Sequence, residues 1–188
     1  GDVTLEDVMT NPTRTGFIEV VRGMADVTLT PIETSTDGAE PAAQITTLGT
    51  GALSATDPAP ELVPAMIDEF PIFAVLAAFA KGETRVTGAE ELRVKESDRI
   101  SAVVNMLRVN GVDCDETPDG FIVQGCDGPP PGGGLVETHH DHRIAMSALV
   151  MGTASQKPVA VDDVSMIATS YPEFFAHMAS LGADIRDR

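Results

Sequence analysis

The sequence predicts an α/β fold (or α+β) assembled from repeated strand–helix–strand modules. Three observations carry this. Short β-prone runs at 3–5, 84–86 and 159–161 each precede a helical pattern and then another short run, at 25–30, 112–116 and 183–185. Their spacing is roughly 75–80 residues, too long for a solenoid and right for a repeated supersecondary unit. Residues 65–80 are apolar almost throughout, so they read as a buried helix.

Taken in order, the strand at 3–5 ends at Glu6-Asp7, and Asn11-Pro12-Thr13-Arg14-Thr15-Gly16 turns into a helix ending near Met24. Ala25, Val27 and Leu29 alternate with Asp26, Thr28 and Thr30, the period-2 pattern of a strand. Residues 34–41 are polar and loop-like, 44–48 form a further strand, and 49–63 are a connection. Pro71 fits only the first turn of the apolar helix, which places the helix start near Asp68.

Downstream, Ile100, Val103, Val104 and Leu107 mark one helical face, with Ser97 as N-cap, Asp98 against the helix dipole and Gly111 as the stop. A hairpin over 112–124 turns at Pro118-Asp119-Gly120. Residues 127–136 are a Pro/Gly loop, and 144–151 are a helix with Asp141 as N-cap. Ser170-Tyr171-Pro172-Glu173 has the pattern of a capping box for a helix ending at Leu181.

The 188 residues suffice for one domain with a sizeable core, with repeat units at about 1–48, 49–125 and 135–188. The net charge of −17 argues against nucleic acid and anionic membranes as partners. No apolar run approaches the ~20 residues of a membrane span. Cys114 and Cys126 are too few for a disulfide framework, which points to a reducing, cytoplasmic compartment.

Chemistry concentrates at the start of the second-repeat helix. Lys95, Glu96 and Arg99 crowd a helix N-terminus, whose free N–H groups already favour anions. His139, Asp141 and His142 have a spacing that a metal could use. Leu92-Arg93-Val94-Lys95-Glu96-Ser97-Asp98-Arg99, followed downstream by Asp141-His142-Arg143-Ile144-Ala145-Met146, resembles the paired signatures of 5-enolpyruvylshikimate-3-phosphate (EPSP) synthases. The resemblance runs from Gly1 to about Ile185 and covers the C-terminal part of such an enzyme.

The resemblance implies βαβαββ modules that pack their helices inward, as in the inside-out α/β barrel of enolpyruvyl transferases. It also implies transfer of enolpyruvyl from phosphoenolpyruvate (PEP) to the 5-hydroxyl of shikimate 3-phosphate, without metal or cofactor. Asp68 matches the family's candidate base and also fits an N-cap. Glu96 matches the residue that exchanges a proton with the PEP methylene. Lys95 matches a substrate-contacting lysine, Arg99 and Arg143 match arginines that hold PEP, and His142 lines the same place. Glu91 and Thr169 depart from the family pattern, which has asparagine and lysine there. Residues 65–71 and Glu90-Glu91-Leu92 look most like the bacterial subgroup that includes glyphosate-tolerant enzymes.

The resemblance assigns the shikimate-phosphate site to an N-terminal half, so these residues alone are expected to be inactive. The first repeat lacks the leading apolar helix of the other two, so an uncovered apolar face is expected to make them self-associate. The competing expectations are a UDP-N-acetylglucosamine enolpyruvyl transferase-like enzyme and a non-catalytic scaffold that keeps the fold.

Overall fold

A computed structural model describes residues 2–25, 27–31, 41–48 and 51–186. Two antiparallel three-stranded sheets share one topology. In the first, β1 (Asp2–Met9), β2 (Val27–Pro31) and β3 (Ala42–Leu48) lie in the order β1-β3-β2. In the second, β4 (Lys81–Val86), β5 (Asp113–Thr117) and β6 (Gly120–Cys126) lie in the order β4-β6-β5. A third sheet is two short parallel strands, β7 (Leu135–Val136) and β8 (Ala160–Val161).

β1 is longer than expected. It continues past Glu6-Asp7 through a bulge between Leu5 and Val8, where Asp7 takes φ 54°. The loop expected over 34–41 lies, Pro41 apart, outside the described residues.

Helix α1 (Gly16–Met24) buries Gly16, Val20 and Met24, a stripe at i, i+4, i+8. Gly16 allows a close approach. A Cβ there would stand 2.9 Å from the Leu62 carbonyl oxygen and 3.1 Å from Ala65. The 3₁₀ turn just before it, Pro12–Arg14, is thereby brought against the 3₁₀ turn Pro64–Met66 of the second repeat.

Three helices form the centre: α2 (Phe70–Phe79), α3 (Arg99–Val109) and α4 (His142–Gly152). They pack on one another, while α2 also meets β6, α3 meets β5 and β7, and α4 meets β8. The helices therefore face inward and the sheets lie outside them. Phe70 meets Phe73 and Phe121 edge to face, with ring centroids 6.2 and 6.3 Å apart. Each such buried side chain contributes about 1.5–3 kcal/mol of hydrophobic stabilisation.

Several local expectations are corrected. Helix α2 starts at Phe70, with Glu69 rather than Asp68 at the N-cap and no side-chain cap bond. Asp98, not Ser97, caps α3, accepting from the Ser101 N–H at 3.1 Å. The capping box at 170–173 does not form. Ser170 already belongs to α5 (Ile167–Ser170), whereas an N-cap needs non-helical backbone, and α6 (Phe174–Ser180) starts without a side-chain cap. Residues 183–185 are not a strand. Ile185 packs on the cluster of Ala145, Leu149, Ile167 and Phe174, and that burial outweighs pairing with the two-residue β8. No helix among the described residues is long and apolar enough to cross a membrane.

Candidate active site

Asp68 sits in the turn between Pro64–Met66 and α2, where three arginines converge on it. Arg99 Nη1 donates to Asp68 Oδ1 at 3.2 Å. Arg143 Nη2 donates to Asp68 Oδ2 at 3.3 Å, and its Nη1 donates to the Asp68 backbone oxygen at 3.1 Å. Arg14 Nη1 lies 4.0 Å from Asp68 Oδ2. The 3₁₀ turn before α1 thus brings a cation toward the site, through the close contact that Gly16 allows. Nothing in the local pattern around Arg14 distinguished it from a turn residue. Its role depends on a contact 54 residues away in sequence, between Arg14 and Asp68.

Arg99 opens α3 and is wholly buried. A buried guanidinium needs counter-charge at hydrogen-bond distance. Asp141, also wholly buried, supplies it: Arg99 Nε donates to Asp141 Oδ2 at 2.8 Å and Nη2 faces Oδ1 at 3.4 Å. Asp141 also caps α4, accepting the Arg143 N–H at 2.9 Å, and accepts the Ser97 hydroxyl at 3.0 Å. Burial alone would push the Asp141 carboxyl up, but Arg99, the Arg143 N–H and Ser97 outweigh it and hold the group below its ordinary range. Burial likewise opposes the charge on Arg99, yet Asp141, with Glu96 and Asp68, raises that guanidinium above its ordinary value.

Glu96 joins the ring through its Oε2, 2.5 Å from Arg99 Nη2, with its side chain half exposed. Asp68, Glu96, Arg99 and Arg143 are therefore one connected cluster, drawn from three helix starts. Lys95 stands outside that ring, where its Nζ donates to Glu91 Oε1 at 2.5 Å. Glu91, where the family pattern has asparagine, thus partners the signature lysine. His142 is half-buried at the first position of α4, beside Arg143, and is not part of the ion-pair ring. Thr169 donates its hydroxyl to the Met166 carbonyl at 2.8 Å, away from the ring.

His139 and His140 both take positive φ, 51° and 58°, immediately before Asp141. Two left-handed non-glycine residues in succession are costly, and such strain gathers at functional sites. Here they turn the chain so that Asp141 points inward. His140 Nδ1 lies 3.5 Å from Asp163. Among the described residues no group of three His, Cys, Asp or Glu could hold a metal ion. Beside Asp68, burial pushes the Glu69 carboxyl up, with Arg143 opposing and the charge of Asp68 adding.

The arrangement can bind a small dianion or carboxylate. Arg99 and Arg143 approach one carboxylate from two directions, and guanidinium groups grip carboxylate and phosphate through paired hydrogen bonds. Glu96 is ion-paired to the same Arg99, so it and Asp68 are the two carboxyl groups placed to move protons there.

Comparison with known proteins gives the family. Residues 1–178 match the family profile of EPSP synthase (3-phosphoshikimate 1-carboxyvinyltransferase). A 3-phosphoshikimate 1-carboxyvinyltransferase from Hyphomonas neptunium is 64% identical over 188 residues, covering 99% of this chain and 42% of that enzyme. One from Afipia carboxidovorans is 54% identical, covering 97% of this chain and 40% of that enzyme. The chain thus spans about two fifths of the length of the curated relatives it matches. EPSP synthase from Acinetobacter baumannii superposes with TM-score 0.92 at 42% identity, over 98% of this chain and 42% of that one. The enolpyruvyl transferase NikO from Streptomyces tendae shares the fold alone, with TM-score 0.70 at 18% identity, over 98% of this chain and 39% of that one. With the profile matched over nearly its whole length, the chain belongs to the EPSP synthase family.

Proposed function

We propose that this chain is the C-terminal part of a cytoplasmic EPSP synthase and carries the PEP half of the active site. The observation that carries the reading is the convergence of Arg99 and Arg143 on one carboxylate, Asp68. Asp68 stands where a substrate anion would be gripped. In this reading PEP takes over those guanidinium groups and frees Asp68 and Glu96 for proton transfer. The three repeat units, about 1–48, 49–125 and 135–188, then build most of one domain. The second substrate, shikimate 3-phosphate, is held between this part and an N-terminal half, and no nucleic acid or membrane is involved.

The roles follow from the chemistry. Asp68 takes the proton of the shikimate 5-hydroxyl as that oxygen bonds to the central carbon of PEP. Glu96 gives a proton to the PEP methylene in the same step. Glu96 then recovers a proton from the new methyl group as the double bond re-forms, and phosphate leaves with the proton that Asp68 had taken from the hydroxyl. Arg99 and Arg143 hold PEP, His142 lines their site, and Lys95 contacts substrate once it exchanges Glu91 for it. General acid–base groups of this kind contribute about 10²–10⁴-fold each.

The test grafts this chain into the Hyphomonas neptunium enzyme in place of the matching segment. The graft should release phosphate from PEP plus shikimate 3-phosphate. Arg143→Ala should raise the PEP KM, whereas Glu96→Gln should lower kcat about 10²-fold with little change in KM. A folded graft without turnover would sink the reading. Expressed alone, the 188 residues should be inactive. They should also self-associate in sedimentation, because Leu5 and Met9 stand 52% and 45% exposed on the first sheet.

A further inference from the structure

The corner that carries Lys95 and Glu96 has little fold of its own. Residues 95–97 lie between the 3₁₀ turn Glu90–Val94 and α3 and belong to neither. Val94 is 81% exposed and buries almost nothing there. A catalytic carboxylate on such a segment needs an external reference, since misplacement by about 1 Å can cost on the order of 10²-fold in rate.

Arg93 supplies one. Its Nε donates to the Pro118 carbonyl at 2.8 Å and its Nη2 to the Thr117 carbonyl at 2.5 Å, both at the β5–β6 turn. Its Nη1 donates to Asp98 Oδ2 and to Glu116 Oε1, each at 2.9 Å. The Arg93–Asp98 bridge joins the two ends of the segment, so 94–97 becomes a closed loop with Lys95 and Glu96 on it. Asp98 caps α3, and the Ser101 hydroxyl meets both Glu116 oxygens at 3.1 Å, so loop, helix start and sheet share one network. All three guanidinium nitrogens face protein acceptors, which leaves Arg93 poorly placed to hold substrate. Lysine, a point donor without the planar fork, cannot serve two carbonyls and two carboxylates together.

We infer that Arg93 is a positioning residue for Glu96 and Lys95, registering their loop to the β5–β6 hairpin; this rests on the transferase reading of the site. It acts through its neighbours and touches no reacting atom.

The experiment is a double-mutant cycle in the grafted enzyme. Arg93→Lys should lower kcat about 10²-fold with the PEP KM within about threefold, and should slow deuterium exchange at the PEP methylene in parallel. On a Glu96→Gln background the same change should cost less than about threefold in kcat, because Lys95, the other group it positions, holds substrate and moves no proton. Glu116→Gln, which keeps the hairpin carbonyl bonds, should cost about 3–10-fold in kcat. Full multiplication of the two single effects, or wild-type kcat in Arg93→Lys, would overturn the inference. Amide hydrogen exchange gives a readout that needs no turnover. In the 188-residue chain Arg93→Lys should speed exchange at 94–98 while the β5 and β6 amides keep their protection. Unchanged exchange at 94–98 overturns the inference even if the graft shows no activity, an outcome that separately sinks the transferase reading.

Discussion

The starts of α3 and α4 use the same chemistry to different ends. Each is capped by an aspartate, Asp98 or Asp141, and each presents an arginine in its first turn, Arg99 or Arg143. The Asp98 side chain is 41% exposed and pairs with Arg93 at the surface, whereas Asp141 is wholly buried against Arg99. Water can replace much of what Asp98 does. Asp141 has no such substitute at the Arg99 Nε, because it is the wholly buried partner there, while Asp68 and Glu96 hold only the outer nitrogens. Burial, not residue type, separates a structural cap from the counterion on which the site depends.

That contrast predicts a ranking. The largest effect is expected from Asp141→Asn, which keeps the shape but removes the charge facing Arg99. Breaking a buried pair from one side costs about 3–5 kcal/mol. Urea unfolding of the chain should show a loss in that range, and a loss under about 1 kcal/mol would mean that Asp68 and Glu96 suffice as counterions.

The next effect is on pH dependence. Asp141 titrates below its ordinary range in the fold, so its contribution is fully present above the unfolded carboxylate pKa of about 3.9. It is lost as pH falls through the folded value. The stability gap between the chain and its Asp141→Asn variant should therefore be constant near neutrality and shrink on acidification below about pH 4. A gap that widened on acidification would reverse the assignment.

The smallest effect is expected from Asp98→Ala. Loss of an exposed helix cap costs about 1 kcal/mol. Arg93 retains Glu116 and two carbonyls, so α3 should remain helical by circular dichroism. If Asp98→Ala destabilised as much as Asp141→Asn, exposure would not be the deciding variable.

Much of this site was legible in the sequence because the chemistry is clustered in short motifs. Asp141 as cap, the apolar faces of α2 and α3 and the Gly111 stop follow local rules, and each is present. Asp68, Glu96, Arg99 and Arg143 were identifiable as a set through resemblance, and the fold brings them into direct ionic contact. What local reading missed was decided at a distance. Ser97 looks like a cap until Asp141 claims its hydroxyl from 44 residues away. Asp68 looks like a cap until three arginines claim its carboxylate. Arg93 stands out only as part of its motif, because the carbonyls it holds lie 24 and 25 residues later. The strand expected at 183–185 gives way to packing of Ile185 on the cluster of Ala145, Leu149, Ile167 and Phe174, and the capping box at 170–173 fails because Ser170 already closes α5.

The Arg99–Asp141 pair also sets an order of events during synthesis. Asp141 leaves the ribosome 42 residues after Arg99, about 2–8 s later at ~5–20 residues per second. Until then the Arg99 Nε lacks its buried acceptor, with Asp68 and Glu96 as the counter-charge already made. The start of α3 therefore gains its full set of acceptors only when α4 docks on it. One charge pair thereby couples the docking of two helices 42 residues apart, and a chain cut between residues 99 and 141 is expected to fold less stably.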